Sequence, residues 1–242
     1  MVISLRDVVV RLGDVDALRG VTLDVDARTV AVIGENGSGK STFARLLAGL
    51  IPAASGTVRV LGLAPARDVA ELRRRVAVVF SNPDAQIVMP TVAEDVAFSL
   101  RPQRGRERLA KDASSRSRAL STSAATARVA ASLSRFGLTE LAERPAHDLS
   151  GGQKQLLALA GAFVREPDLV IADEPTAYLD ARNARLVGDH LLADTGHRLV
   201  LATHDLALAR RCEVAVLFAD GRVRSTGDPA DVVAEYEALL TC

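Results

Sequence analysis

An excess of charge of either sign is missing from this chain. Its 30 basic and 30 acidic residues cancel, so no bulk field draws it toward nucleic acid. Cysteine is nearly absent. Cys212 and Cys242 stand far apart and fit no metal-ligand spacing, and the simple reading is a reducing, cytosolic compartment. No apolar run approaches the roughly 20 residues of a membrane-spanning helix. No basic segment followed by an apolar one opens the chain, so no signal peptide is expected. A membrane role would therefore have to come through a partner. Lysine is scarce as well. Lys40, Lys111 and Lys154 are the only three, and every other basic residue is arginine. The 242 residues make one large domain, or a domain with a subdomain, with ample chain to bury a core.

What is present centres on Gly34, Glu35, Asn36, Gly37, Ser38, Gly39, Lys40, Ser41 and Thr42. They follow an apolar run, Thr29 to Ile33, that reads as a buried strand, and precede Phe43 to Leu50, which reads as a helix. The spacing fits the phosphate-binding P-loop. Glycines let backbone N–H groups turn inward around phosphate oxygens. The helix start adds unpaired donors and partial positive charge. Lys40 can reach the terminal phosphates, and the Ser41 hydroxyl can ligate Mg²⁺. A lysine at this place in an arginine-biased chain indicates a specific use, since ammonium and guanidinium are not interchangeable.

The remaining chain reads as α/β. Val2 to Val10 and Val21 to Val25 are expected to form a small antiparallel sheet leading into the P-loop strand. Thr57 to Leu61 reads as a strand, Arg67 to Arg75 as a helix, and Val76 to Phe80 as a strand buried on both faces. Thr91 and Glu94 make a capping box. A helical subdomain is expected over about 90–165. It contains a low-complexity Ser/Ala/Arg stretch at 101–134, read as a solvated helix or loop. Leu169 to Glu174 and Leu199 to Asp205 read as parallel strands with functional residues at their C-terminal ends. Asp220-Gly221 marks a hairpin, and Asp228-Pro229 starts a terminal helix.

Two further patterns carry chemistry. The strand Leu169 to Asp173 ends in Asp173 and Glu174. Phosphoryl chemistry wants one carboxylate to hold Mg²⁺ through water and a second to polarise the attacking water. Asp173 suits the first role and Glu174 the second. Ser150, Gly151, Gly152 and Gln153 form another capping box, with glycines that bare the helix-start N–H groups. That is a second anion site built like the first.

Leu149 to Gln153 resembles the signature sequence of ATP-binding cassette (ABC) ATPases, and it lies between P-loop and acidic strand as in that family. The resemblance covers about residues 5–226. It implies one ABC ATPase domain over 1–242, with a mixed, mainly parallel core sheet, an antiparallel β subdomain and a helical subdomain. It further implies ATP and Mg²⁺ as ligands, and pairing with a second ATPase chain, identical or not. In such a pair Ser150 to Gln153 and Asp180 serve the nucleotide of the opposite cassette. His204 resembles the switch histidine that contacts the γ-phosphate and the water. Integral membrane subunits would hold the chain peripherally on the cytoplasmic face of the membrane.

Val78 to Gln86 and Thr91 to Phe98 resemble the ATPases of energy-coupling factor (ECF) importers of vitamins and metals. Chain size and Leu179 to Asn183 resemble the biotin type. Other ABC importers or exporters, non-transport ABC ATPases and nucleotide-binding regulators stay open as alternatives. Two positions depart from the family. Ser81 stands where a glutamine normally reaches the metal; serine keeps an oxygen but loses about two bonds of reach, which puts direct Mg²⁺ contact in question. Leu12 stands near the place of the ring that stacks on adenine, with Arg11 beside it as a cation–π candidate.

Overall fold

Alternating apolar residues in the first 25 positions build two strands of the outer sheet, and continuous apolar runs build most of the inner one. The computed structural model describes residues 2–101, 122–193 and 195–240. In chain order the elements are β1 (Ile3–Leu12), β2 (Val15–Val25), β3 (Thr29–Ile33), α1 (Lys40–Leu47), β4 (Ser55–Val60), α2 (Val69–Arg75) and β5 (Val76–Val79). Then follow α3 (Val92–Phe98), α4 (Thr122–Arg135), α5 (Gly151–Phe163), β6 (Leu169–Asp173), α6 (Ala181–Leu192), β7 (Arg198–Ala202), α7 (Leu206–Ala209), β8 (Val214–Ala219), β9 (Arg222–Gly227) and α8 (Pro229–Leu240). The chain divides into two compact units, residues 1–82 with 166–242, and residues 83–165.

The first unit holds both sheets. One is antiparallel, in the order β2-β1-β4. The other runs β5-β6-β7-β3-β8-β9, parallel except for β9 at its edge. Strands β3 and β6 are buried at every position, which is why they read as unbroken apolar runs rather than alternations. α1 lies against strands of both sheets, and Phe43, Leu46 and Leu47 join their core. The rings of Phe43 and Phe218 meet at 5.0 Å and 45°, a tilted contact worth about 1 kcal/mol beyond its area.

Two elements differ from the sequence reading. β5 is an edge strand of the parallel sheet, so Val76, Ala77 and Val78 are only half buried. β2 starts at Val15, six residues earlier than its valine-rich half suggested, because Gly20 interrupts the pattern at a positive φ of 67°.

The second unit is helical. α3, α4 and α5 pack together around Val96, Val129, Leu133, Phe136, Leu157 and Phe163. Both predicted capping boxes are formed: Thr91 with Glu94 at α3, and Ser150 with Gln153 at α5. The low-complexity stretch falls largely on residues 102–121, outside the described residues. Its last part is the packed helix α4 rather than a solvated segment, since Val129 and Leu133 are buried and the Ser132 hydroxyl donates to Ala160 O at 2.9 Å.

Candidate active site

The parallel strands end on one edge, and loops beyond their C-termini carry the site, as open α/β sheets arrange ligands. β3 delivers the P-loop. Gly34 has φ 143°, and a Cβ there would lie 2.2 Å from the Phe218 carbonyl oxygen, so a side chain is excluded by packing as well as by backbone. Gly37, at φ 82°, has nothing within 4 Å of where its Cβ would stand. The loop is tied down from outside. Gly221 N donates to Ser38 O at 3.0 Å, and Arg19 N donates to Gly221 O at 2.8 Å.

No side chain caps α1 at Gly39, so its leading N–H groups stay open to an anion. The buried Ser38 Oγ has no hydrogen-bond partner and adds a further polar group to the loop. Lys40 is 5% exposed, and its ammonium donates to Gly34 O at 2.7 Å and Glu35 O at 2.9 Å. Three donors are available on an ammonium, which leaves one for a phosphate oxygen. Burial pushes the Lys40 pKa down, and the nearby Glu174 and Asp173 charges oppose that shift.

The acidic strand arrives beside it. Ser41 Oγ donates to Asp173 Oδ1 at 2.8 Å, joining a P-loop hydroxyl to a carboxylate from β6. Hydroxyl and carboxylate oxygens are the hard donors Mg²⁺ prefers. Mg²⁺ is commonly held by one or two protein groups, with water and substrate phosphates completing the shell. These residues fit the ion.

Glu174 follows at φ 50°, an uncommon conformation for a side-chain residue. Its backbone N donates to Ala202 O at 2.8 Å, and Thr203 N donates to Val32 O at 3.0 Å. These bonds extend the sheet ladder past its strands and bring the β6 and β7 ends together. There His204 Nδ1 lies 2.7 Å from Glu174 Oε2, which also accepts the His204 backbone N–H at 3.2 Å. The register Val79 opposite Ala172 sets Ser81 on the same sheet edge. Asp180 caps α6, accepting Asn183 N at 2.8 Å.

The structure thus groups Gly34 to Thr42, Asp173, Glu174 and His204 in the first unit, with Asp180 beyond them. Ser150, Gly151, Gly152 and Gln153 begin α5 in the second unit. There Lys154 Nζ reaches Asp84 Oδ1 at 2.8 Å. Arg11 pairs with Asp16 at 2.8 Å, while Leu12 and Val15 are exposed at the hairpin tip. Tyr178, in the Tyr178-Leu179-Asp180 stretch whose sequence resembles the family's D-loop, stands at φ 64° and is 97% exposed.

Known proteins share this sequence and fold. A family model described as ABC transporter matches residues 18–177. An ABC transporter ATP-binding protein of Deinococcus radiodurans is 39% identical over 239 residues, covering 99% of each chain. A biotin transport ATP-binding protein of Rhizobium etli is 37% identical, covering 92% of each. An energy-coupling factor transporter ATP-binding protein of Lacticaseibacillus paracasei is 37% identical, over 93% of this chain and 77% of that one. Among solved structures, CbiO1 from Clostridium perfringens, part of the ABC transporter complex CbiONQ, aligns with TM-score 0.82 and 28% identity over 99% of this chain and 93% of that one. A dimeric ATP-binding cassette with ADP and Pi bound after hydrolysis aligns with TM-score 0.77 and 26% identity, over 94% and 98%. The chain belongs to the ABC transporter family, as an ATP-binding subunit whose ATP hydrolysis is coupled to transport.

Proposed function

We propose that this chain energises an ECF-type importer of a biotin-like vitamin or a metal ion, by closing as a pair on ATP and reopening after hydrolysis. The observation that carries the reading is the meeting of Ser41 with Asp173 and of His204 with Glu174 on one sheet edge beside Lys40. The P-loop N–H groups and Lys40 bind the phosphates. Ser41, and Asp173 through water, would hold Mg²⁺, which would neutralise charge on the phosphate oxygens. Glu174 takes a proton from water as the water oxygen bonds to the γ-phosphorus and the bond to the bridging oxygen breaks, giving ADP and phosphate. His204 fixes the Glu174 carboxylate through Nδ1. Ser150 to Gln153 and Asp180 act on the nucleotide of the opposite cassette.

No helix among the described residues is long and apolar enough to cross a membrane. In this reading partner subunits form the transport path and this chain sits on the cytoplasmic face. A surface for them is offered in the second unit. Val88 is 60% exposed on a loop whose amides at Val88 and Met89 donate to the buried Asp95 at 2.8 and 3.0 Å. The names of the R. etli and L. paracasei relatives support the cargo class.

The test is Glu174→Gln in the complex reconstituted with its membrane partner subunits. ATP-trapped pairs, turnover lower by about a thousandfold and lost biotin or metal uptake are expected. Undiminished ATP turnover would overturn the catalytic assignment. Uptake of neither cargo by the parent complex would overturn the cargo.

A further inference from the structure

The P-loop has a second side, turned toward β8 and α8. Against it lies a cavity of about 330 Å³, within the range that holds small ligands. Glu35 and Ser38 of the loop line it, with Leu217 of β8, Asp220 of the following turn, and Tyr236 and Leu239 of α8. Ser38 shows which side this is. The place of a Cβ on Gly34 lies 2.9 Å from Ser38 Oγ and 2.2 Å from Phe218 O, so the buried, unpartnered Ser38 hydroxyl is turned toward β8.

The charges around the cavity are unbalanced. The Glu35 and Asp220 carboxylates are exposed, and neither has an ion-pair partner among the described residues. Arg224 also lines the cavity, but its guanidinium is already paired with Glu235 at 2.9 Å. Burial pushes the Tyr236 phenol up, and Glu35 and then Glu174 push it the same way, so the ring sits in a negative field. Two free carboxylates repel an anion. Leu217, Leu239 and the Tyr236 ring offer a bare metal ion few ligands, while they suit an apolar body, and an aromatic ring also attracts an organic cation.

We infer that this cavity is a binding site for a small organic cation, an amine on an apolar body, and that its occupancy strengthens ATP binding. A cation there offsets carboxylate charge beside a loop that must accept a polyphosphate. A body wedged between α8 and the loop also restrains Glu35 to Ser38, so less freedom is lost when phosphate binds. The coupling is reciprocal: ATP must tighten the amine by the same factor.

The probe is 2-phenylethylamine, with the neutral 2-phenylethanol as its match in size. The chain has two tyrosines and no tryptophan, so in full-length Tyr178→Phe protein the emission of Tyr236 reports on the cavity. Calorimetry should give one amine per chain, bound at least about tenfold more tightly than the alcohol, with Tyr236 emission changing in step. A non-hydrolysable ATP analogue with Mg²⁺ should tighten the amine about threefold, and the amine should tighten the analogue equally. Asp220→Asn removes one charge and keeps a residue that tolerates the turn's φ of 50°. It should weaken the amine about three- to tenfold with the melting temperature within about 2 °C. Equal binding of amine and alcohol, a silent Tyr236, or an unchanged Asp220→Asn would overturn the site. Competition between amine and analogue would put the amine among the phosphates and overturn it as well. Independent binding of the two would overturn the coupling.

Discussion

His204 contacts Glu174 twice, through Nδ1 at 2.7 Å and through its own backbone N–H at 3.2 Å, and both bonds end on the same carboxylate oxygen. That leaves the other oxygen of Glu174 to accept from an attacking water. His204→Ala keeps the backbone bond and loses the ring. Turnover should fall about 10- to 100-fold, less than for Glu174→Gln, with KM for ATP within about threefold. Steady-state phosphate release measures both, and a KM rise with kcat unchanged would assign the ring to binding instead.

Two P-loop glycines should respond differently to one methyl group. Gly34→Ala drives its Cβ to 2.2 Å from Phe218 O, against backbone that cannot move without breaking β8. A loss of about 2–4 kcal/mol and a melting temperature lower by roughly 5–15 °C are expected. Gly37→Ala meets nothing within 4 Å and pays only the positive-φ penalty, about 1 kcal/mol. Thermal melting of the two variants side by side checks the contrast; equal losses would refute it.

Leu12 stands near the place that the family resemblance gives to a base-stacking ring. Leu12 and Val15 face each other across the hairpin and are 45% and 61% exposed, and Arg11 is held by Asp16. An apolar platform of this kind distinguishes purines poorly. ATP and GTP should be hydrolysed at rates within about threefold of each other, and Leu12→Tyr should tighten nucleotide binding by roughly three- to tenfold through stacking. Strict preference for ATP in the parent protein would count against the platform.

Ser81 shares the sheet edge with Asp173 but has a short arm. Ser81→Gln restores about two bonds of reach toward the Asp173 side. Transport-coupled ATP turnover in the reconstituted complex should rise about two- to tenfold. An unchanged coupled rate would show that the shorter side chain is not limiting.

Much of the site was legible because its signals are local. The apolar runs Thr29–Ile33 and Leu169–Asp173 became β3 and β6, and the capping boxes at Thr91 and Ser150 formed from residues three apart. The Asp220-Gly221 turn was legible for the same reason, both residues taking positive φ. What stayed hidden depends on distant partners. The bond from Ser41 to Asp173 spans 132 positions, and only strand order brings it about. The half-exposed state of β5 follows from its place at a sheet edge, which no window of Val76 to Val79 contains. The positive φ of Tyr178 is set by the bracing of the whole 174–180 turn, since tyrosine itself disfavours it.

The turn at Gly221 also bears on how the chain can be engineered. A two-residue hairpin connection at the surface is ordinarily a forgiving place for a tag, a fused domain or new termini. Here its amide holds Ser38 O and its carbonyl holds Arg19 N, and a Cβ on Gly221 would lie 2.7 Å from Ala17 O. Lengthening this connection would release the P-loop on one side and β2 on the other, so an insertion library across the chain should show a gap there, at a place where loop length alone would forecast tolerance.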